Sequence, residues 1–328
     1  MKMKKVYFLF ISSLLLIACS EDLMSPSMSP TDVVESLWKY ANENYVYFDF
    51  KSVDWEAKRS EYLAKVDDDI SADSLFTVCA DMIGELKDGH NYLKFDDRIY
   101  QYDYTDGFDV NFSLDLVQSK YLQDEFQTEE SLTYGIINDT IGYVYYEKFK
   151  SALPWETVMA FFPDQGVTKI IIDLRNNSGG LPETAQSIAG YFVDEPTLIG
   201  YITHKNGKGP NDFSEKLEIE AVPQAVYFDN NVNILINRGS FSASSYLAGM
   251  TTALSNVTLI GQITGGGGGA EAAFELPNGW IVGITSNFFQ DSQDRQIEDG
   301  VRPMIDIVNS AADISSEVDR MLEVAIEN

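Results

Sequence analysis

The chain has 328 residues, 45% of them hydrophobic and 12% aromatic, enough apolar material for one large core or two modest ones. Its formal net charge of −28 repels phosphate backbones and argues against nucleic acid as a partner; the acidity reads as the solubilising surface of an exported protein. Two distant histidines and two cysteines give no metal-ligand spacing, so no metal or other cofactor is expected.

The N-terminus opens with Lys2, Lys4 and Lys5, followed by the apolar run VYFLFISSLLLIA. That run is too short to span a bilayer comfortably and reads as the hydrophobic region of a signal peptide. It ends in Leu16-Ile17-Ala18-Cys19, which resembles a bacterial lipobox. The resemblance implies removal of residues 1–18 and acylation of Cys19. Several acyl chains would then anchor the chain stably to a bacterial cell-envelope membrane, facing the periplasm or the outer surface. Only Cys79 remains after Cys19, so no intramolecular disulfide is possible. Residues 19–30, rich in Ser, Pro and Met, read as a tether.

A helix is expected to start at Ser29-Pro30, a capping residue followed by a proline of the first turn. Val34, Leu37, Trp38, Ala41 and Tyr45 fall on one face of it. A second helix is expected over 54–66 and a third over 71–87. The third places Leu75, Cys79, Met82, Ile83 and Leu86 on one stripe, which makes Cys79 a core residue. Gly89 is placed to end that helix, and His90 follows it. Residues 31–90 thus read as an N-terminal helical domain.

Residues 91–135 are polar, rich in tyrosine and weakly periodic, and read as short strands and loops. A core is expected over 136–328. In it, IGYVYY (141–146), KIIIDL (169–174) and NVNILIN (231–237) read as strands, the last two buried on both faces. WETVMAFF (155–162) and PETAQSIAGYF read as helices. Strand, Gly/Ser turn and helix recur, which argues for an α/β core. FELPNGWIVGIT reads as a hairpin, and the chain past 300 as a return strand and a terminal helix.

Three stretches can carry chemistry. In NRGSFSASSYLAGM a buried strand ends at Asn237 and a helix starts near Ser244. A serine at that helix start has its oxygen near the positive end of the dipole, beside backbone N–H groups that can face an oxyanion; the competing reading is a plain helix cap. In IIIDLRNNSGG, Gly179 and Gly180 can expose backbone N–H groups toward a cleft, or simply make a turn. In LKDGHNYL, His90 sits past a helix end and can serve a serine as base. His204 lies in the polar stretch THKNGKGP and reads as solvated surface. The run 265–269, GGGGG, is no phosphate loop, because no Gly-Lys-Ser/Thr follows it. It reads either as a close-approach loop beside the cleft or as a mobile turn.

RGSFSASSYLAGM resembles the nucleophile segment of the C-terminal processing (tail-specific) serine peptidases, and IIDLRNNSGG resembles their Asp-Leu-Arg-x-Asn-x-Gly-Gly strand and oxyanion turn. LKDGHNYL resembles the Asp-Gly-His segment of the branch related to the tricorn protease core and interphotoreceptor retinoid-binding protein. The resemblance implies a crotonase-like core of stacked ββα units and peptide-bond hydrolysis. It places the nucleophile on Ser242 and the oxyanion donors on Ala243 and on Gly179 or Gly180. The processing branch carries a lysine base about twenty-five residues after its serine; Gly267 stands there in this chain, and no lysine follows Lys216. The tricorn-like branch uses serine, histidine and a downstream glutamate. QIEDGVRPMIDI resembles its closing segment and offers Glu298 to orient the base, with Asp299 as the other candidate.

About fifty residues separate His90 from IGYVYY, too few for the PDZ domain that many relatives insert there. The expected substrate is therefore a peptide or protein bound in extended form at an exposed strand edge. The retinoid-binding relatives imply an alternative, a non-catalytic peptide- or ligand-binding lipoprotein on the same scaffold.

Overall fold

The computed structural model describes residues 29–108 and 111–328. The stretch expected to be a signal peptide and the expected lipidation site at Cys19 lie outside the described residues.

The chain opens with four helices, α1 (Pro30–Asn44), α2 (Phe48–Lys51), α3 (Trp55–Leu63) and α4 (Ala72–Gly84). Ser29 caps α1 with a full capping box through Asp32, and Asp54 and Ser71 cap α3 and α4. These short polar side chains satisfy amide groups that the helix start leaves free. The short α2 had no periodicity to announce it. The expected end of α4 at Gly89 is not the observed one. Glu85 is the C-cap, and Lys87 takes the positive φ of 47° just beyond it. Gly89 is required for space instead: a Cβ there would lie 2.8 Å from the Phe241 ring and 2.9 Å from the Tyr104 ring.

The hairpin β1 (Tyr92–Phe95) and β2 (Arg98–Gln101) follows, then a helical turn made of α5 (Leu114–Leu116) and a π-turn at Val117–Tyr121. The remaining elements are β3 (Phe126–Glu129), β4 (Leu132–Ile137), β5 (Ile141–Tyr146), α6 (Leu153–Asp164), β6 (Lys169–Asp173), α7 (Pro182–Ala189), β7 (Thr197–His204), β8 (Leu217–Ala221), β9 (Asn231–Ile236), α8 (Ala243–Thr251), β10 (Val257–Gly261), β11 (Glu271–Glu275), β12 (Ile281–Thr285), β13 (Asn287–Asp291), β14 (Ile305–Asp306), α9 (Ala311–Ser315) and α10 (Arg320–Glu327).

Three sheets result. The largest has seven strands in the order β14-β10-β9-β6-β5-β4-β3. Its first five strands pair in parallel, and β4 and β3 add an antiparallel edge. One face of it packs residues of α6, α7 and α8, including Trp155, Ile188 and Leu247, into the main core. The other face is covered around Tyr143, Ile171, Leu235, Met321 and Leu322, so α10 closes the second layer. Burial on both faces explains why β6 and β9 carry apolar runs rather than alternation. A four-stranded antiparallel sheet, β11-β12-β1-β2, joins the helical region to the later chain, and the third sheet is β13-β7-β8. The helices pack their own core onto β12 through Trp280, Val282 and Ile284. His204, expected in a loop, ends β7 and is exposed.

Parallel pairing fixes where the chemistry-bearing turns emerge. β6 and β9 are neighbours with Asp173 opposite Leu235. The Gly-Gly turn after β6 and the serine turn after β9 therefore leave the sheet side by side, at its carboxyl end.

Candidate active site

Four serines crowd the turn after β9, and hydrogen bonding separates them. Ser240 Oγ donates to Leu174 O at 2.7 Å, Ser244 Oγ to Asn177 O at 2.8 Å, and Ser245 Oγ to Thr264 Oγ1 at 2.9 Å. All three are buried and committed to structure. Ser242 differs. It sits at the N-cap of α8 yet makes no capping bond with its side chain, so the plain-cap reading does not hold. Its backbone has φ 55° and ψ −120°, a conformation that costs energy for a residue with a Cβ and that gathers at functional sites. Its Oγ lies 3.0 Å from His90 Nε2, across 152 residues of sequence.

The histidine is held from several sides. Its backbone N–H donates to Asp88 Oδ1 at 2.8 Å, and Gln101 Nε2 donates to Gly89 O at 2.5 Å. Asn91, the next residue, accepts the Thr285 N–H at 2.8 Å and so ties the loop to β12. The ring packs against Phe241 at 4.8 Å between centroids, and Tyr104 stacks on Phe241 at 3.8 Å. Burial lowers the His90 pKa from its ordinary 6.5; Asp88 and Glu271 oppose that, and Lys51 adds to it.

The two glycines are not equivalent. Gly179 (φ 93°) is buried under the serine: a Cβ there would lie 2.6 Å from Phe241 O, 2.7 Å from Ser242 Cβ and 2.8 Å from Ala243 N. Its N–H is already given to Asn177 Oδ1 at 2.8 Å. Gly180 is exposed and lines the cleft beside Ser242, and its carbonyl-side neighbour Leu181 anchors the turn by donating to Phe149 O at 2.8 Å. Asn177 binds the two turns together, its carbonyl accepting the Phe241 N–H at 3.0 Å as well as the Ser244 hydroxyl. Ala243 is the first residue of α8, so its N–H is one of those that the helix leaves free.

The glycine run is a close-approach loop. Gly265 N–H donates to Ser240 O at 2.7 Å, and Ser242 N–H donates to Gly266 O at 2.9 Å. A Cβ on Gly266 would lie 1.8 Å from Glu298 O, and one on Gly269 would lie 2.2 Å from Asn287 O. At Gly267, where the processing branch carries its lysine, a Cβ would lie 2.5 Å from the Phe241 ring and 2.9 Å from His90 Cε1. The histidine fills the space a lysine would need.

One expected contact is not formed. Glu298 is buried, but its carboxylate does not reach His90, whose Nδ1 makes no hydrogen bond among the described residues. Oε1 instead takes Lys51 Nζ at 2.6 Å, and Oε2 takes the Gly268 N–H at 2.9 Å. The cation outcompetes the imidazole because a buried carboxylate is stabilised most by a full opposite charge. Burial, followed by Asp88, pushes the Glu298 carboxyl up to about 8, against Lys51 and the Gly268 N–H. Asp299 is exposed. The sequence pattern passed over Lys51, which no motif marks. It also passed over Asp88, which stood within LKDGHNYL unassigned.

A cleft of roughly 680 Å³ opens over the serine and histidine, walled by Tyr104, Phe241 and Tyr246 and carrying Asp103, Lys148 and Glu271. Gly269, Ala270 and Glu271 form one rim, at the start of the edge strand β11. Among the described residues no group of His, Cys, Asp and Glu is arranged to hold a metal ion, and no helix is long and apolar enough to cross a membrane.

Residues 140–307 match peptidase family S41, and residues 33–84 match the tricorn protease C1 domain; His90 falls between the two. The chain is 29% identical over 195 residues to the carboxyl-terminal-processing protease of Synechocystis sp. and 34% identical over 121 residues to the carboxy-terminal processing protease CtpA of Bacillus subtilis. These alignments cover 57% and 37% of this chain, but only 43% and 24% of the relatives. The chain thus spans less than half the length of either. A crystal structure from Parabacteroides merdae ATCC 43184, provisionally named a peptidase, superimposes with a TM-score of 0.84 at 32% identity, covering 91% of this chain and 96% of the other. Mature CPAF shares the fold at a TM-score of 0.67 and 12% identity, over 90% of this chain and 96% of its own.

Proposed function

Because the chain belongs to peptidase family S41, we propose that it hydrolyses peptide bonds through an acyl-enzyme on Ser242, with His90 as general base. The observation that carries this reading is the 3.0 Å contact between His90 Nε2 and Ser242 Oγ at the floor of a cleft, within the reach that proton transfer requires. His90 takes the hydroxyl proton as Oγ bonds to the scissile carbonyl carbon. The resulting oxyanion faces the N–H groups of Ala243 and Gly180, the glycine whose amide is not already committed. The tetrahedral species collapses, the C–N bond breaks, and the departing amine takes the proton from the imidazolium. Water then attacks the ester, with His90 again as base, and Ser242 is regenerated. Asp88 and Glu271 favour the imidazolium that forms in each half.

The substrate is a peptide or protein segment bound in extended form. The edge strand β11 begins at the cleft rim, and free backbone groups on an edge accept an added strand. The parallel strands β5, β6 and β9, each followed by a helix, support a crotonase-like core. The lipobox-like Leu16-Ile17-Ala18-Cys19 supports a lipid anchor in a bacterial cell envelope.

A fluorophosphonate probe tests the central reading. Wild-type protein should label covalently, and Ser242→Ala should not. A folded wild-type protein that fails to label would return the chain to the binding-scaffold alternative.

A further inference from the structure

Lys51 belongs to α2, far in sequence from every chemistry-bearing stretch, yet its ammonium enters the base of the site. Nζ donates to Lys87 O at 2.8 Å and to Glu298 Oε1 at 2.6 Å. The Lys51 side chain is only 11% exposed and that of Glu298 only 2%, so this is not a solvated surface pair.

Each partner belongs to a segment that delivers one half of the Ser–His pair. Lys87 stands at the positive-φ bend from which Asp88 and His90 are presented. Glu298 holds the glycine run, accepting Gly268 N–H on Oε2 at 2.9 Å and Gly267 N–H on its own carbonyl at 3.1 Å. The serine hangs from that same run, through Ser242 N–H to Gly266 O at 2.9 Å. One ammonium therefore joins the histidine loop to the glycine run from which the serine hangs.

We propose that Lys51 is a positioning residue, which sets the separation of His90 and Ser242 by clamping the histidine loop onto the Glu298-anchored glycine run. Its catalytic consequence rests on the peptidase reading above; the clamp itself does not. Lys51 touches no reacting atom and is not the base, since His90 occupies that place.

The surrounding charges fix the sign of the effect. His90 faces Asp88, Glu271 and Lys51. Glu298 faces Asp88 and Lys51, and the hydroxyls of Tyr45, Tyr47 and Tyr246 sense its charge. Asp299 acts on Tyr45. Removing Lys51 removes the cation that helps hold His90 down, and frees the loop so that water reaches the ring. Both changes raise the His90 pKa toward 6.5. Glu298, left buried without its cation, is pushed further toward the neutral acid.

The test uses the full chain with two readouts. The chain has only two histidines, so His90 ring resonances can be titrated by NMR, with His204→Gln giving the assignment. The rate of fluorophosphonate labelling is measured on the same samples. Lys51→Met should slow labelling by about ten- to a hundredfold and raise the His90 titration midpoint. Lys51→Arg should recover most of the loss, because it keeps the charge. Lys51→Met labelling at the wild-type rate, with the His90 titration unmoved, overturns the clamp. Should Lys51→Met fail to fold, Glu298→Ala decides: it removes the group that Lys51 holds and should both slow labelling and raise the His90 midpoint, whereas labelling at the wild-type rate with an unmoved midpoint overturns the clamp. A wild-type protein that does not label rejects the peptidase reading, and the NMR arm still decides the clamp.

Discussion

At the scale of single residues, the site depends on what its atoms are prevented from doing. Ser242 Oγ would ordinarily cap α8, but the positive φ turns it toward His90 instead. The neighbouring serines spend their hydroxyls on backbone carbonyls and on Thr264. His90 must be neutral to accept a proton, and its burial lowers the pKa from 6.5. Since the protonated form is inactive, kcat/KM should fall as pH drops, with the acid limb centred below 6.5 rather than at it. A pH–rate profile of labelling checks this, and a limb centred well above 6.5 would contradict the burial argument. His90→Ala should lower the plateau by about 10²–10⁴-fold, the usual worth of a general base. The histidine was legible from LKDGHNYL and from the scarcity of histidine. The partner of Glu298 was not, because a lysine in a four-residue helix leaves no pattern to read.

At the scale of elements, the Asp-Leu-Arg strand does structural as well as positional work. Arg175 is fully buried and donates to both oxygens of Asp173, with Nη2 at 2.5 Å from Oδ2, and to Asp319 Oδ1 at 2.7 Å. Tyr143 OH donates to the same Asp173 at 2.7 Å. Asp319 is also the N-cap of α10, accepting the Leu322 N–H. One guanidinium thus joins the end of β6, from which the Gly-Gly turn departs, to the helix that closes the second layer. Burial favours the neutral acid at Asp319, but Arg175 and the surrounding donors more than offset it and hold its pKa down. Stability from this group is therefore present above the ordinary aspartate range and is lost as pH falls through the depressed value. Arg175→Met leaves two buried carboxylates without their cation and should cost about 3–5 kcal/mol. The midpoint of urea denaturation at neutral pH measures it, and a shift within error would mean that solvent reaches the network.

At the scale of the whole molecule, the proposed base and the proposed nucleophile come from different parts of the chain's architecture. His90 stands at the exit of the helical region, and Ser242 stands in the turn that leaves the carboxyl end of the seven-stranded sheet. The four-stranded sheet fixes the segment after His90 through β1 and β12, with Tyr92 opposite Gly283 and Leu93 opposite Val282. A Cβ at Gly283 would lie 2.2 Å from the Tyr92 ring, so close packing, and not covalent proximity, sets the site. The proposed anchor acts on the same scale. Cys19→Ser should move the protein from the membrane fraction to the soluble fraction, or block processing of residues 1–18. Fractionation followed by mass measurement reads both outcomes, and a processed chain retained in the membrane fraction would remove the lipobox reading.

Local chemistry determined much of this protein from sequence alone. The cap at Ser29, the apolar runs of β6 and β9 and the small residues after each are properties of neighbours along the chain, and the structure carries them close to the expected places. Resemblance of those short stretches was enough to single out Ser242 and His90. What no local pattern held was the pairing of distant groups. Glu298 was assigned to the histidine, yet it binds Lys51 and the Gly268 amide; Gly179 and Gly180 were interchangeable until Asn177 claimed one amide. Such choices are competitions among buried groups for the strongest available partner. They are settled only when the tertiary fold excludes water and brings the candidates together.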